Sequence, residues 1–136
     1  MDKIIEHCKK LSMRKLVHFA KKNYKILYKY LSKRYTHIND HSDLLLGTLY
    51  ICISANGKLA WSEWEFVGNF VKDFTYEKGK AIVEVFDKEE GRQMARDAIS
   101  VLPEDMKQAY LNLCIAILCA DGRIDKLEKD FLNSLI

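Results

Sequence analysis

The hydrophobic positions along the chain recur mostly at steps of three and four residues, which is the spacing of one face of an α-helix. No stretch alternates with a period of two over a useful length. The pattern therefore predicts an all-α protein. A short helix is expected at about residues 2–10, and a long one follows in residues 12–34. The apolar face of the long helix is formed by Leu16, Phe19, Ala20, Tyr24, Ile26, Leu27, Tyr30 and Leu31.

Cap and turn residues divide the rest of the chain into further helices. A strongly apolar helix is predicted to begin at Ser42 or Asp43 and to end at Asn56-Gly57, because an Asn-Gly pair favours a left-handed turn. A long helix is predicted from Glu104 to Cys119, since Pro103 separates it from the helix before. The expected architecture is a compact bundle of about six to eight helices.

Side chains that satisfy the free amides of a helix start mark the remaining boundaries. Ser62 and Glu65 are spaced as a capping box, which predicts a helix from there to about Phe74. Thr75 and Asp87 are predicted to cap two further helices.

Two segments match each other at a separation of 65 residues. They are Ser54-Ala-Asn-Gly-Lys-Leu-Ala-Trp-Ser-Glu63 and Cys119-Ala-Asp-Gly-Arg-Ile-Asp-Lys-Leu-Glu128. Both contain Ala, Gly, an aliphatic residue two positions after the Gly and Glu six positions after it. Each follows a long apolar helix and precedes a second helix, so the chain is predicted to contain two related helix-loop-helix halves. An EF-hand is not expected, because its first and third ligand positions would be Ile117 and Cys119.

The segment Ala120-Asp-Gly-Arg-Ile-Asp-Lys-Leu-Glu128, with its partner Ala55-Asn-Gly-Lys-Leu-Ala-Trp-Ser-Glu63, resembles the signature of the TerB-like helical family. That family includes tellurite-resistance proteins and a similar domain of the co-chaperone DjlA. The resemblance covers about residues 40–136. It implies a compact helical domain in an intracellular stress or phage-defence setting that binds divalent metal through acidic loop residues.

The resemblance implies a weak site for Ca²⁺ or another divalent cation. Its residues, carried over by position, are Asp121, Asp125, Glu128, Glu63 and Asn56. The first copy is depleted, because Asn56 and Ala60 stand where acids would match. A structural interpretation is also open: Asp121 can bond its own turn amides, and Asp125 with Glu128 can cap the last helix.

Charge is distributed unevenly along the 136 residues. Residues 1–45 hold 11 Lys and Arg against 4 Asp and Glu, a net charge of +7, and the remainder has a net charge of −4. We expect one domain over residues 1–136, in which residues 1–41 form a basic N-terminal helical extension packed on the rest. The lysines between the apolar positions of the long helix are Lys21, Lys22, Lys25, Lys29 and Lys33.

This basic face has several interpretations. The first is a solvated surface, and the second is a site for an acidic protein partner. The third is a site for nucleic acid or anionic membrane, and the fourth is a surface that docks on the acidic remainder of the chain. Trp61 and Trp64 are further partner candidates. Both are expected to pack in the core, one of them at the helix junction, and the alternative is that the other is an exposed anchor for a partner.

Sequence motifs of catalysis, such as GxSxG, HExxH or a Gly-rich phosphate loop, do not occur in the chain. We therefore expect a non-enzymatic interaction module with a protein partner and no small-molecule substrate. The alternative is a dedicated inhibitor or immunity-type protein that neutralises a toxin or enzyme without metal. The four cysteines are expected to be buried free thiols. Because the first residues also contain no apolar stretch long enough for a signal peptide, a cytoplasmic location is expected, with peripheral association at the inner membrane open. The longest apolar run is far shorter than the about 20 residues of a membrane span.

Overall fold

Eight α-helices account for most of the residues that the computed structural model describes, which are residues 1–36, 41–55, 57, 61–120, 122 and 124–135. No strand occurs within these ranges, and the predicted all-α bundle is confirmed. In chain order the helices are α1 (Asp2–Lys9), α2 (Met13–Arg34), α3 (His41–Ile53), α4 (Trp61–Val67), α5 (Tyr76–Phe86), α6 (Glu89–Ser100), α7 (Glu104–Cys119) and α8 (Lys126–Ser134).

Helices α3 and α7 form the centre of the bundle. Every residue of α3 from Leu44 to Ile53 is buried, and so is every residue of α7 from Ala109 to Leu118 except Asn112. Complete burial of one large aliphatic side chain contributes about 1.5–3 kcal/mol, so these two helices supply much of the apolar stabilisation. They are also joined by a hydrogen bond of 2.6 Å, in which the Tyr110 hydroxyl donates to the Thr48 carbonyl oxygen.

Helix α2 lies against α7. Ser12 caps its first turn by accepting a hydrogen bond from the Lys15 amide at 3.3 Å. A polar contact fixes its register, since the Asn112 amide group donates to the Asn23 side-chain oxygen at 3.2 Å. The opposite side of α2 consequently faces solvent. The side chains buried on α2 are Leu16, Ala20, Asn23, Tyr24, Leu27 and Leu31.

The glycines of the two matched segments, Gly57 after α3 and Gly122 after α7, have similar backbone conformations. Gly57 has φ of 81° and Gly122 has φ of 95°. Both values lie in the left-handed region, which glycine adopts without steric cost. The left-handed turn predicted at Gly57 is therefore confirmed, and Gly122 adopts the same conformation.

The predicted capping box at Ser62 and Glu65 is wrong. Helix α4 begins at Trp61, so Ser62 lies inside its first turn instead of before it. The helix also ends at Val67, well before Phe74. The turn that follows includes Asp73 with φ of 61°, a conformation that does not continue an α-helix.

Of the two predicted caps between α4 and α6, one is confirmed. Thr75 caps α5 and accepts a hydrogen bond from the Lys78 amide at 3.1 Å. Asp87 instead ends α5 as its C-cap, and Lys88 is the N-cap of α6. The Asp87 carboxylate is engaged by Tyr50 and Arg92, so it is not directed at the next helix start.

The cysteines agree in part with the expectation of buried free thiols. All four are free; Cys8, Cys52 and Cys114 are buried, whereas Cys119 is half-buried. Across the described ranges, no helix has both the length and the apolar character that a membrane crossing requires.

Candidate functional site

The solvent side of α2 carries positive charge alone. Residues 13–34 contain eight Lys and Arg and no Asp or Glu. At 1.5 Å of rise per residue, the 22 residues of this helix extend over about 33 Å. Seven of the cations share one side of the helix and are all exposed, and we name this surface the basic face. Its members are Arg14, Lys15, Lys21, Lys22, Lys25, Lys29 and Lys33.

Within the described part of the chain, no residue of the basic face forms an ion pair. Ion pairs do form elsewhere, and five of them link described residues. They are Lys78–Asp43, Arg92–Asp87, Arg96–Glu89, Lys126–Asp130 and Lys129–Asp2. The interpretation that the α2 lysines dock on the acidic remainder therefore gains no support from the described residues.

The spacing of the lysines has an energetic cost. Lys21, Lys25 and Lys29 follow one another at intervals of four, and Lys33 continues the series. Like charges four residues apart on a helix destabilise it by about 0.2–0.5 kcal/mol per pair. None of these lysines forms an ion pair with a described acidic residue, so the repulsion among them lowers the stability of the helix.

A cleft of about 690 Å³ lies between the basic face and the turn of residues 68–74. Lys21 and Lys25 line it on the α2 side, and Lys72 lines it from the turn. Asp73 is the acidic residue of its lining. Aromatic side chains supply much of the remaining wall, and we name this feature the tyrosine cleft. Its aromatic members are Tyr24, Tyr28, Phe70 and Phe74.

The tyrosines of the cleft differ in exposure. Tyr28 is 40% exposed, whereas Tyr24 is buried. Their rings stack with centroids 6.2 Å apart, and the Tyr24 ring also meets Phe70 edge-on at 5.7 Å. The Tyr24 hydroxyl lies 3.3 Å from the Ser42 hydroxyl. Tyr24 therefore forms a fixed base, and the Tyr28 ring is available at the surface.

The two tryptophans have opposite environments. Trp64 is 1% exposed and packs between Phe74 and Tyr50, with ring centroids 5.3 and 6.3 Å away. Trp61 is 40% exposed and lies against Tyr76, with centroids 5.0 Å apart. Trp64 therefore fills the helix junction, and of the two only Trp61 is available to a partner.

The acidic residues of the second turn stabilise the start of α8. The Asp125 carboxylate accepts a hydrogen bond from the Glu128 amide at 2.9 Å, and the Glu128 carboxylate accepts one from the Asp125 amide at 3.0 Å. This reciprocal arrangement is a capping box. Glu128 is buried, and so is Glu63, which occupies the matching position in the first turn. The other two residues of the predicted cation site, Asn56 and Asp121, lie outside the described residues.

The two buried glutamates act on the same thiol. Burial is the main cause that raises the pKa of Cys52, followed by the hydrogen bond and charge of Cys114 and then by the charges of Glu128 and Glu63. Both glycine turns thus direct a carboxylate toward the centre of the bundle. Among the described residues, no group of three or more His, Cys, Asp or Glu is placed to hold a metal ion. The divalent-cation site stays a prediction, and capping is the role that the geometry displays for Asp125 and Glu128.

Sequence reasoning identified the lysines of α2 but missed Lys72. This lysine follows Val71 in the turn after α4, about 50 residues from the lysines it faces. A lone lysine in an irregular segment carries no periodic signal. Its position across the cleft depends on how α4 packs, which local spacing does not encode.

Comparisons with known proteins provide no relative for the chain. No protein-family model, no curated protein and no solved structure matches it. The TerB-like resemblance therefore rests on the two glycine turns and their flanking helices, and membership of that family stays a prediction.

Proposed function

We propose that the protein is a non-enzymatic interaction module that binds an acidic protein partner through the basic face of α2. The observation that carries this proposal is the set of exposed cations without an ion pair to any described residue. An acidic partner would relieve the repulsion among these lysines. It would also be steered toward the long positive surface, because complementary potentials accelerate encounter.

A protein partner fits this surface better than a single-stranded nucleic acid. Proteins that bind single strands present several exposed aromatic rings on which bases stack. Of the three tyrosines on α2, Tyr28 is exposed, Tyr24 is buried and Tyr30 is half-buried. The cleft next to the basic face instead combines three lysines with aromatic side chains, which together suit the acidic and apolar side chains of a polypeptide.

The TerB-like resemblance adds a stress or defence setting to the proposal. In that setting the dedicated inhibitor or immunity-type role is the second candidate, and the density of unneutralised charge on α2 favours it. Such a protein captures one target quickly, and electrostatic steering raises association rates at low salt. A metal-independent complex with a single target, whose association slows steeply as salt rises, would distinguish this role from that of a general adaptor.

Equilibrium binding of an acidic peptide tests the proposal. The probe is a fluorescent peptide of alternating Asp and Glu, and its anisotropy is followed at 20 mM and 200 mM NaCl. The wild-type protein is compared with the α2 variant Lys21→Gln/Lys25→Gln/Lys29→Gln. The matched control removes the same charge elsewhere, at Lys80, Lys88 and Lys107.

The proposal requires salt-sensitive binding that the α2 variant weakens at least tenfold and the control variant weakens less than twofold. Screening lengths of about 10 Å at 0.1 M salt account for the expected salt effect. Equal losses in the two variants would show that net charge alone governs binding, and would overturn the assignment to α2.

A further inference from the structure

The tyrosine cleft combines positive charge on two walls with an aromatic surface. Lys21 and Lys25 approach it from α2, and Lys72 approaches it from the opposite turn. Its volume of about 690 Å³ is within the range of about 300–1,000 Å³ that is typical of ligand pockets. The remaining lysines of the basic face, including Lys29 and Lys33, do not line it. The cleft is thus a distinct part of the surface proposed to bind the partner.

We propose that this cleft binds an extended acidic segment of the partner that carries an aromatic side chain. The inference rests on the proposed function and specifies which feature of an acidic protein is recognised. Carboxylates of the segment pair with the ammonium groups of Lys21, Lys25 and Lys72. Its aromatic ring packs against Tyr28, the exposed ring at the cleft, and gains apolar contact that a purely acidic chain lacks.

Asp73 favours a peptide over a uniform polyanion. It is exposed, lines the cleft next to Lys72 and is held by a left-handed backbone with φ of 61°. A polyphosphate chain that follows the cleft would bring negative charge close to this carboxylate, and like charges repel. A peptide can place an uncharged residue there and still direct carboxylates at the three lysines.

The aromatic floor of the cleft is also held in place by contacts within the protein. The Tyr24 ring packs with Tyr28 and Phe70, and its hydroxyl lies next to that of Ser42. Lys72, in contrast, is exposed on the turn and has no ion pair with a described residue. Substitution of Lys72 therefore removes a charge from the cleft and leaves the packing of α2 intact.

Anisotropy titrations with three probes test the inference. The first probe is an acidic peptide with one central Phe, the second has Ser in place of that Phe, and the third is an oligothymidine of equal charge. The proteins are wild type, Lys72→Gln, Tyr28→Ala and the matched control Lys33→Gln. Lys33→Gln removes one charge from the same basic face outside the cleft.

We expect the Phe peptide to bind wild type at least fivefold more tightly than the Ser peptide or the oligothymidine. Lys72→Gln should weaken binding of the Phe peptide at least fivefold, and Lys33→Gln should weaken it less than twofold. Tyr28→Ala should remove the advantage of Phe over Ser.

Two outcomes would overturn the inference. If Lys72→Gln behaves like Lys33→Gln while the triple α2 variant still loses binding, the α2 lysines bind the partner without Lys72, and the proposed pairing on both walls of the cleft is overturned. If the oligothymidine binds as tightly as the Phe peptide, the surface recognises charge without selecting a peptide. If the triple α2 variant binds all three probes as tightly as wild type does, the proposed function itself is contradicted.

Discussion

The basic face of α2 and the acidic glycine turns are the two charged regions that stand out along the chain, and their side chains are used in opposite ways. The α2 lysines are exposed and form no ion pair with a described residue. The glutamates at matching positions of the two segments, Glu63 and Glu128, are buried, and Asp125 is engaged in a capping box with Glu128. These acidic side chains make contacts within the protein, whereas the α2 lysines are exposed and available to another molecule.

This comparison separates stability from binding. A capping carboxylate contributes to folding because it accepts hydrogen bonds from backbone amides that would otherwise lack partners. An exposed cation surrounded by like charges contributes nothing to folding and is slightly unfavourable. Substitutions in the two regions should therefore affect different measurements.

The largest loss of stability is expected for Glu128→Ala. The substitution removes the acceptor of the Asp125 amide and leaves a gap where a buried side chain was. Loss of a buried hydrogen-bond partner costs about 1–3 kcal/mol. Urea unfolding should show a free energy of unfolding lower by about 2 kcal/mol, and binding of the acidic peptide should be unchanged at 20 °C. An unaltered midpoint would show that Glu128 is dispensable for folding.

Ala substitutions at Gly57 and Gly122 test whether the two turns are equivalent. Both glycines have positive φ, and no atom lies within 4 Å of the position that a Cβ would occupy. The cost is therefore conformational rather than steric crowding, and we expect about 1 kcal/mol at each site. Thermal unfolding of the two variants checks this. A marked difference between them would mean that the halves of the repeat are related in sequence but not in energetics.

Asp125→Ala isolates the cap itself. Loss of an N-cap side chain typically costs about 1 kcal/mol, and the Glu128 amide would lose its acceptor. The same variant also tests the predicted divalent-cation site, in which Asp125 is a predicted ligand. Melting curves of wild type and Asp125→Ala in EDTA and in excess Ca²⁺ distinguish the roles. A pure cap gives the same destabilisation in both buffers, and a cation site gives a Ca²⁺-dependent rise that the variant loses.

Removing charge from α2 should have little effect on stability. The variant Lys21→Gln/Lys25→Gln/Lys29→Gln loses like-charge repulsion and no described ion pair, so its free energy of unfolding should change by less than about 0.5 kcal/mol. The measurement is a urea titration run alongside the control Lys80→Gln/Lys88→Gln/Lys107→Gln. A large destabilisation of the α2 variant alone would show that these lysines have a structural role.

The smallest effect on stability is expected for substitution of Asp87, whose carboxylate is paired with Tyr50 and Arg92. The hydrogen bond from the Tyr50 hydroxyl and the charge-assisted hydrogen bond from Arg92 lower the pKa of Asp87 below its usual value. Its contribution to stability is therefore present at neutral pH and is lost as the pH falls through the lowered pKa. Wild type should be slightly more stable than Asp87→Asn at pH 7, and the difference should disappear in acid. A difference that persists in strong acid would contradict this origin.

More of the fold than of the site could be predicted from the sequence. Apolar spacing predicted the all-α class and α2, and the Asn56-Gly57 pair predicted a left-handed turn, because these features depend on neighbours within one or two turns of helix. The start of α4 was missed, since Ser62 has the chemistry of a cap but the helix begins one residue earlier. Burial of Trp64 together with Phe66 and Val67 accompanies that earlier start.

For the site, the α2 lysines were predicted as candidates because their spacing places them on one helix side. The burial of Glu63 and the position of Lys72 opposite α2 were not predictable in the same way. Both depend on packing between helices that are distant in sequence. The sequence pattern of a glutamate after a glycine turn is the same whether the side chain binds a cation or is buried in the core.

Two measurements on two variants test whether the buried and capping acids serve folding and the α2 lysines serve binding. The melting temperature and the dissociation constant for the acidic Phe peptide are measured for wild type, Glu128→Ala and Lys21→Gln/Lys25→Gln/Lys29→Gln, with binding recorded well below every midpoint. We expect Glu128→Ala to melt at a lower temperature and to bind normally, and the α2 variant to melt normally and to bind at least tenfold more weakly. If Glu128→Ala loses binding while folded, or if the α2 variant binds as wild type does, the division between structural acids and binding lysines is contradicted.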